Sequence, residues 1–197
     1  MKLTILTVGH SNHELGHLLQ ILQANQVTAV ADIRSEPYSG YNPQFGREAL
    51  KSSLETSGIN YVFLGDQLGA HPQDPACYKD KKVQYKLMAK TPLFQQGLKR
   101  VIAGAEQYRI ALLCAEKEPL SCHRSVLISR ELEALGLDVS HILEDGSVES
   151  QNEAMDRLLK QSGLGGGDLF RTKEQLIEDA CARQEQEVAY VNPSIDS

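Results

Sequence analysis

No stretch of this chain approaches the roughly 20 consecutive apolar residues that a membrane-spanning helix needs; its apolar runs stay under ten residues. The segment Leu3–Val8 is broken by Thr4 and Thr7 and is too brief for a secretory leader. A cytoplasmic location is therefore expected. The four cysteines, Cys77, Cys114, Cys122 and Cys181, include no C-x-x-C pair, so free thiols are expected rather than a disulfide framework. Basic charge is in deficit as well: 20 Lys and Arg stand against 26 Asp and Glu, a net charge of −6. A surface of that sign excludes a passive, sequence-blind coat on nucleic acid and leaves only a local basic pocket open. There is no internal repeat.

What is present is ordinary globular composition, 41% hydrophobic and 23% charged. The 197 residues fit one domain at about 100–200 residues per domain. Apolar segments at 3–8, 27–31, 59–63, 109–114 and 138–142 read as strands. Between them, Ser11-Asn-His-Glu14 looks like a capping box for a helix carrying Leu15, Leu18, Leu19 and Leu22. Further helices are expected over 45–57, 83–89, 92–105, 123–135 and 152–160, two of them stopped by Gly58 and Gly136. The long loop 65–82, rich in Gly, Pro and Asp, has the length of a functional loop. This alternation predicts a Rossmann-like α/β fold, a mainly parallel sheet of about five strands with helices on both faces. Gly163–Gly167 reads as a linker. It divides an α/β domain, 1–162, from a tail, 163–197, whose helix over 173–187 either packs on the body or serves a partner.

Ligands of open parallel sheets bind beyond the carboxyl ends of the strands. The groups placed there are Gly9-His10-Ser11, Asp32-Ile33-Arg34, Gly65-Asp66, Cys114 with Glu116, and Glu144-Asp145. The sharpest segment runs from Leu112 to Ser125, with a thiol at each edge of a loop and Cys122-His123-Arg124-Ser125 opening a helix. Unpaired N–H groups at a helix start favour an anion such as phosphate, and Arg124 can add a bidentate clamp. The same field lowers a thiol pKa, which makes Cys114 or Cys122 a candidate nucleophile and His123 a candidate proton carrier. The cysteine loop of protein phosphatases does not match, because Leu120 stands where that pattern needs Arg. A metal reading gathers Cys114, Cys122 and His123, with His10 as a further ligand, although C-x7-C-H fits no standard zinc spacing. The packing alternative makes Cys114 a small buried hydrophobe and pairs Arg124 with Glu116 or Glu118.

Asp32 at the end of a buried strand suits a proton-transfer or ligand-holding role, and Arg34 has the same sidedness; an ion pair that orders the loop is the bland alternative. Tyr38, Tyr41, Asn42 and Phe45 follow, either to stack on a base or to fold inward. One glycine, Gly9, stands where a dinucleotide-binding loop has three, so that motif is absent, while Gly9 still allows close backbone approach. Ser11 is expected to cap its helix, His13 and His17 to be solvent-exposed, and nothing demands that His71 reach the site.

Several of these motifs resemble the DUF488 family, prokaryotic proteins of unknown function. The matching residues are Thr7-Val-Gly-His-Ser11, Asp32-Ile-Arg34-Ser-x-Pro37, Asn42-Pro-Gln-Phe45, Leu112-Leu-Cys-Ala-Glu116 and Cys122-His-Arg124. Asp168-Leu-Phe and Glu178 to Tyr190, with Arg183-Gln184, are similar to the ending of longer members. The resemblance runs along nearly the whole chain. It implies a Rossmann-like fold in which these motifs form one site, and it supplies no substrate.

The leading expectation is an enzyme acting on a phosphate-bearing substrate, a nucleotide or a nucleic-acid end. Arg34 and Arg124 would clamp the anion, with Gly9 and Glu116 beside it. Asp32 or His10 would move a proton, and Cys114 or Cys122 would attack, with His123 assisting. The alternatives are a nucleotide-binding or sensing module without turnover, and a thiol redox or metal-binding protein using Cys114 and Cys122.

Overall fold

The computed structural model describes residues 3–38, 42–167 and 169–195. In chain order the elements are β1 (Thr4–Gly9), α1 (Leu15–Ala24), β2 (Ala29–Asp32), α2 (Arg47–Thr56), β3 (Asn60–Phe63), α3 (Gly65–Leu68) and a small hairpin, β4 (Tyr78–Lys79) with β5 (Lys82–Val83). Then come α4 (Tyr85–Met88), α5 (Pro92–Ala105), β6 (Ile110–Cys114) and a π-helical segment, Arg124–Ser129, that runs into α6 (Arg130–Ala134). The chain continues through β7 (Asp138–Ile142), β8 (Val148–Ser150), α7 (Gln151–Gln161) and α8 (Lys173–Val188).

The main sheet has the order β3-β2-β6-β1-β7-β8. Five strands are parallel, and β8 returns antiparallel on β7 as an edge hairpin. Alternation along β1 sends Ile5 to one face and Leu6 and Val8 to the other. Leu6 and Val8 join Leu18 and Leu22 of α1 and Leu50 and Leu54 of α2. Ile5 joins Phe94 and Leu98 of α5, Ile128 and Leu132 of the π-helix and α6, and Leu158 of α7. Helices therefore cover both faces, as the apolar pattern implied.

One consequence of this order places the site. Strands β1 and β6 are neighbours, with Gly9 paired to Cys114. The helix after β1 packs on one face, and the helix after β6 on the other. The two connections diverge, and a crevice opens between them at the carboxyl ends of the strands.

The helix of the tail packs on the body. Leu176, Ala180 and Cys181 of α8 are buried in the larger core, and α8 begins with a capping box of Thr172 and Gln175. Beyond it, the Val83 N–H donates to the Tyr190 carbonyl (3.0 Å) and the Asn192 N–H to the Lys81 carbonyl (2.8 Å). The hairpin and the tail thus extend one another.

The start of α1 departs from expectation. Glu14, not Ser11, occupies the N-cap, and no side chain caps the helix. Ser11 has φ +44 and turns its carbonyl toward the His10 ring instead. Tyr41 and Asp168 lie outside the described residues. Among the described residues, no helix is long and apolar enough to cross a membrane.

Candidate functional site

A cavity of about 540 Å³ sits at the switch point. Its wall includes His10 after β1, Arg34, Glu36 and Tyr38 after β2, His71 of the long loop, and Cys114, Glu116 and His123 around the β6 loop. Residues more than 100 apart in the chain meet here because β1 and β6 lie side by side.

Cys114 and Cys122 are unbonded thiols whose sulfurs stand 3.1 Å apart. The His123 Nδ1 is 3.8 Å from the Cys114 Sγ and 3.6 Å from the Cys122 Sγ. Its Nε2–H donates to the Leu68 carbonyl (3.0 Å). A carbonyl only accepts, so the bare nitrogen of a neutral His123 ring is Nδ1, facing the sulfurs. The Cys114 thiol donates to the Glu116 carboxylate (3.0 Å). The Cys122 thiol beside it and complete burial push the Cys114 thiol well above its usual pKa. Burial opposes the charge on His123, but the Cys114 sulfur and Glu116 outweigh it and raise its pKa. Burial also opposes ionisation of Glu116, yet the Cys114 thiol and the residue's own backbone N–H hold its carboxyl below the usual range.

Five N–H groups of the expected anion bed are engaged within the chain. The N–H groups of Ser121, Cys122 and Ser125 donate to the carbonyls of Glu118, Pro119 and Cys122, and the Arg124 N–H approaches the Cys122 Sγ (3.5 Å). The Leu120 N–H is taken by the chain's own Glu118 carboxylate (3.0 Å). Arg124 is not a clamp either. It is fully buried and donates to the Glu116 carbonyl and to the Lys117 carbonyl (2.9 Å), tying the 115–117 loop across β1. Gly9 belongs to the same tie: a Cβ there would collide with the Glu116 carbonyl and come within 2.8 Å of the Arg124 Nη1. Gly9 and Arg124 build the wall and do not line the cavity.

Asp32 and His10 are also engaged with neighbouring groups of the chain. Asp32 is fully buried and accepts from the Arg34 backbone N–H (3.1 Å), Nε (2.9 Å) and Nη2 (2.6 Å) and from the Tyr61 hydroxyl (2.8 Å). The remaining Arg34 nitrogen, Nη1, donates to the Phe45 carbonyl (2.8 Å) and to the His10 Nε2 (3.2 Å). His10 donates through Nδ1 to the Ser11 carbonyl (2.9 Å) and stacks on Phe45. Burial and the Arg34 charge lower its pKa to about 4. The loop-ordering ion pair is therefore the reading of Asp32 and Arg34 that the geometry favours.

Other expected neighbours are elsewhere. Asp66 and the Glu144-Asp145 pair do not line the cavity; Glu144 pairs with Lys117 (2.9 Å). His13 and His17 are half-buried against one another, and His17 donates to the Glu144 carbonyl (2.8 Å). His71 lines the cavity, stacked on Tyr190 of the tail at 3.7 Å between centroids. Its one sequence signal was its place in a loop of functional length.

Residues 14–130 match the family described as a domain of unknown function, DUF488. The chain belongs to the DUF488 family. The matched DUF488 region takes in Asp32, Arg34 and the whole Cys114–Arg124 segment and stops short of His10 and of the tail. No curated protein matches the chain, and no solved structure does.

Proposed function

We propose that the cavity is the active site of an enzyme acting on a small polar molecule, with Cys114, Cys122, His123 and Glu116 as its reactive centre. One observation carries this reading: the Cys114 thiol, the His123 imidazole and the Glu116 carboxylate line one open cavity at the switch point of the sheet, with the Cys122 sulfur 3.1 Å from that of Cys114. Burying the His123 imidazole carries a desolvation cost that an apolar side chain would avoid. A reactive role gives that cost a reason.

Charge selects the substrate class. Arg34 is neutralised by Asp32, His10 is held neutral, and burial lowers the pKa of His71. Glu36 and Glu116 remain on the wall. A neutral or cationic polar molecule suits this balance. A phosphate-bearing substrate finds no uncommitted Arg or Lys among the described lining residues. The unpaired thiols suit a reducing compartment such as the cytoplasm.

The test is a panel of small polar compounds, including nucleotides and inorganic phosphate, read by thermal shift and by turnover. Wild type is expected to bind and turn over a neutral or cationic compound. Cys114→Ser is expected to remove turnover and keep affinity within about tenfold. Tight nucleotide or phosphate binding without turnover would contradict the reading and favour a sensing module.

A further inference from the structure

We propose that Cys114, Cys122 and His123 hold one thiophilic divalent transition-metal ion, zinc by its donor set, with the fourth coordination position open to the cavity. The inference rests on the reading above in taking this cluster as the reactive centre, and it adds the cofactor.

The donor atoms of the three residues lie within 4.8 Å of one another, the one such cluster among the described residues. A tetrahedral zinc site has edges of about 3.6 Å between sulfur and nitrogen and about 3.8 Å between sulfurs. The sulfur–nitrogen distances of 3.6 and 3.8 Å already fit. From their 3.1 Å separation, the sulfurs need to open by only about 0.7 Å to reach that edge. A disulfide would require closure by about 1 Å and an oxidant besides.

The surroundings are those of ligands held in place. The Leu68 carbonyl fixes the His123 ring through Nε2, as outer partners of metal-bound histidines do. The Arg124 N–H points at the Cys122 sulfur, where it would stabilise a thiolate. The buried Tyr85 hydroxyl has no hydrogen-bond partner, and it lies near enough to feel charge on Cys122 and Cys114.

Cys114, His123 and Glu116 line the cavity, whereas Cys122 stands behind them. Three protein ligands with an accessible fourth position is the arrangement of catalytic zinc, in contrast to the closed four-ligand set of structural zinc. On binding, two thiol protons leave to solvent, two sulfur–metal bonds and one nitrogen–metal bond form, and water takes the fourth place. Glu116 shares the cavity wall with Cys114 and His123 and would be the carboxylate available to accept a proton from a water bound there. The C-x7-C-H spacing escapes zinc patterns because one sulfur comes from a strand end and the Cys-His pair from the following helix start.

The test uses full-length, tag-free protein stripped with chelator and titrated with cobalt(II). One cobalt per chain is expected, with thiolate-to-cobalt charge transfer and the strong visible absorption of a tetrahedral centre, both lost when zinc is added. Cys122→Ser should weaken cobalt binding by roughly a hundredfold or more, and Cys181→Ser should leave it unchanged. If Cys122→Ser folds poorly by circular dichroism, His123→Gln is read in the same titration and should lose affinity likewise. Folded wild type without cobalt absorption, or undiminished binding in folded ligand variants, overturns the metal assignment. Turnover by metal-free wild type that Cys114→Ser removes would leave the enzyme reading standing alone; turnover indifferent to Cys114 would end that reading whatever the metal does.

Discussion

The Arg124 Nη1 lies 2.8 Å from where a Cβ on Gly9 would stand, so the end of β1 and the loop after β6 are locked by a contact that only glycine permits. Gly9→Ala must push the Glu116 carbonyl off its Arg124 donor. Overpacking of this kind costs about 1–3 kcal/mol, and loosening a charged hydrogen bond adds about 1.5–3 kcal/mol. Urea unfolding should show a loss of several kcal/mol. A loss within about 0.5 kcal/mol, the scatter of neutral surface changes, would mean that the loop is not tied there.

Asp32, Arg34 and Tyr61 form a buried unit with unequal members. Arg34→Ala strands a fully buried carboxylate, at a cost of about 3–5 kcal/mol. Tyr61→Phe removes one of four donors to it, at about 1–2 kcal/mol. Denaturant melts of the two variants should rank in that order, and equal effects would contradict the assignment.

Two buried imidazoles make the fold acid-sensitive. Burial lowers the pKa of both His10 and His141 from 6.5 to about 4. His141 accepts from the Thr7 hydroxyl at Nδ1 (2.8 Å) and donates through Nε2 to the Gln151 Oε1 (2.7 Å). The unfolded chain takes up protons that the folded one refuses, so stability is complete above pH 6.5 and falls as the pH drops toward 4. Each group contributes a slope of about 1.4 kcal/mol per pH unit in that window. His123, with its raised pKa, acts in the opposite sense, so the comparison that isolates His141 is wild type against His141→Gln. The variant should lose about 1.4 kcal/mol per pH unit of acid slope, read from urea midpoints; an unchanged slope would count against a buried neutral His141.

The Tyr190 ring holds the His71 loop to the cavity through one stacked contact. Tyr190→Ala should cost about 0.5–1.5 kcal/mol beyond the lost area and should raise amide exchange across residues 69–77. Unchanged exchange there would show that the tail does not hold the loop.

The sheet was legible because β1, β2 and β6 are nearly continuous runs of buried apolar residues, and the stops at Gly58 and Gly136 fall where φ is +76 and +90. β8 and the hairpin of β4 and β5 were not, since strands of two or three residues carry no period. The π-helical start of the helix after β6 was also hidden: the Ser129 hydroxyl takes the Arg124 carbonyl five residues back (2.7 Å), a choice no helical pattern reveals. At the site, residue type marked Cys114, Cys122, His123 and Glu116 correctly as neighbours. The roles of Arg124, Asp32 and His10 were not readable, because a buried polar group and a ligand-binding one look alike until their partners are known.

The most direct measurement is mass-resolved alkylation of the four thiols in the native protein, with and without equimolar zinc. Zinc should slow labelling of Cys114 and Cys122 by roughly a hundredfold, as expected of thiolates engaged by metal, and leave Cys77 and Cys181 unchanged. Equal labelling of Cys114 and Cys122 in the two conditions would contradict the account.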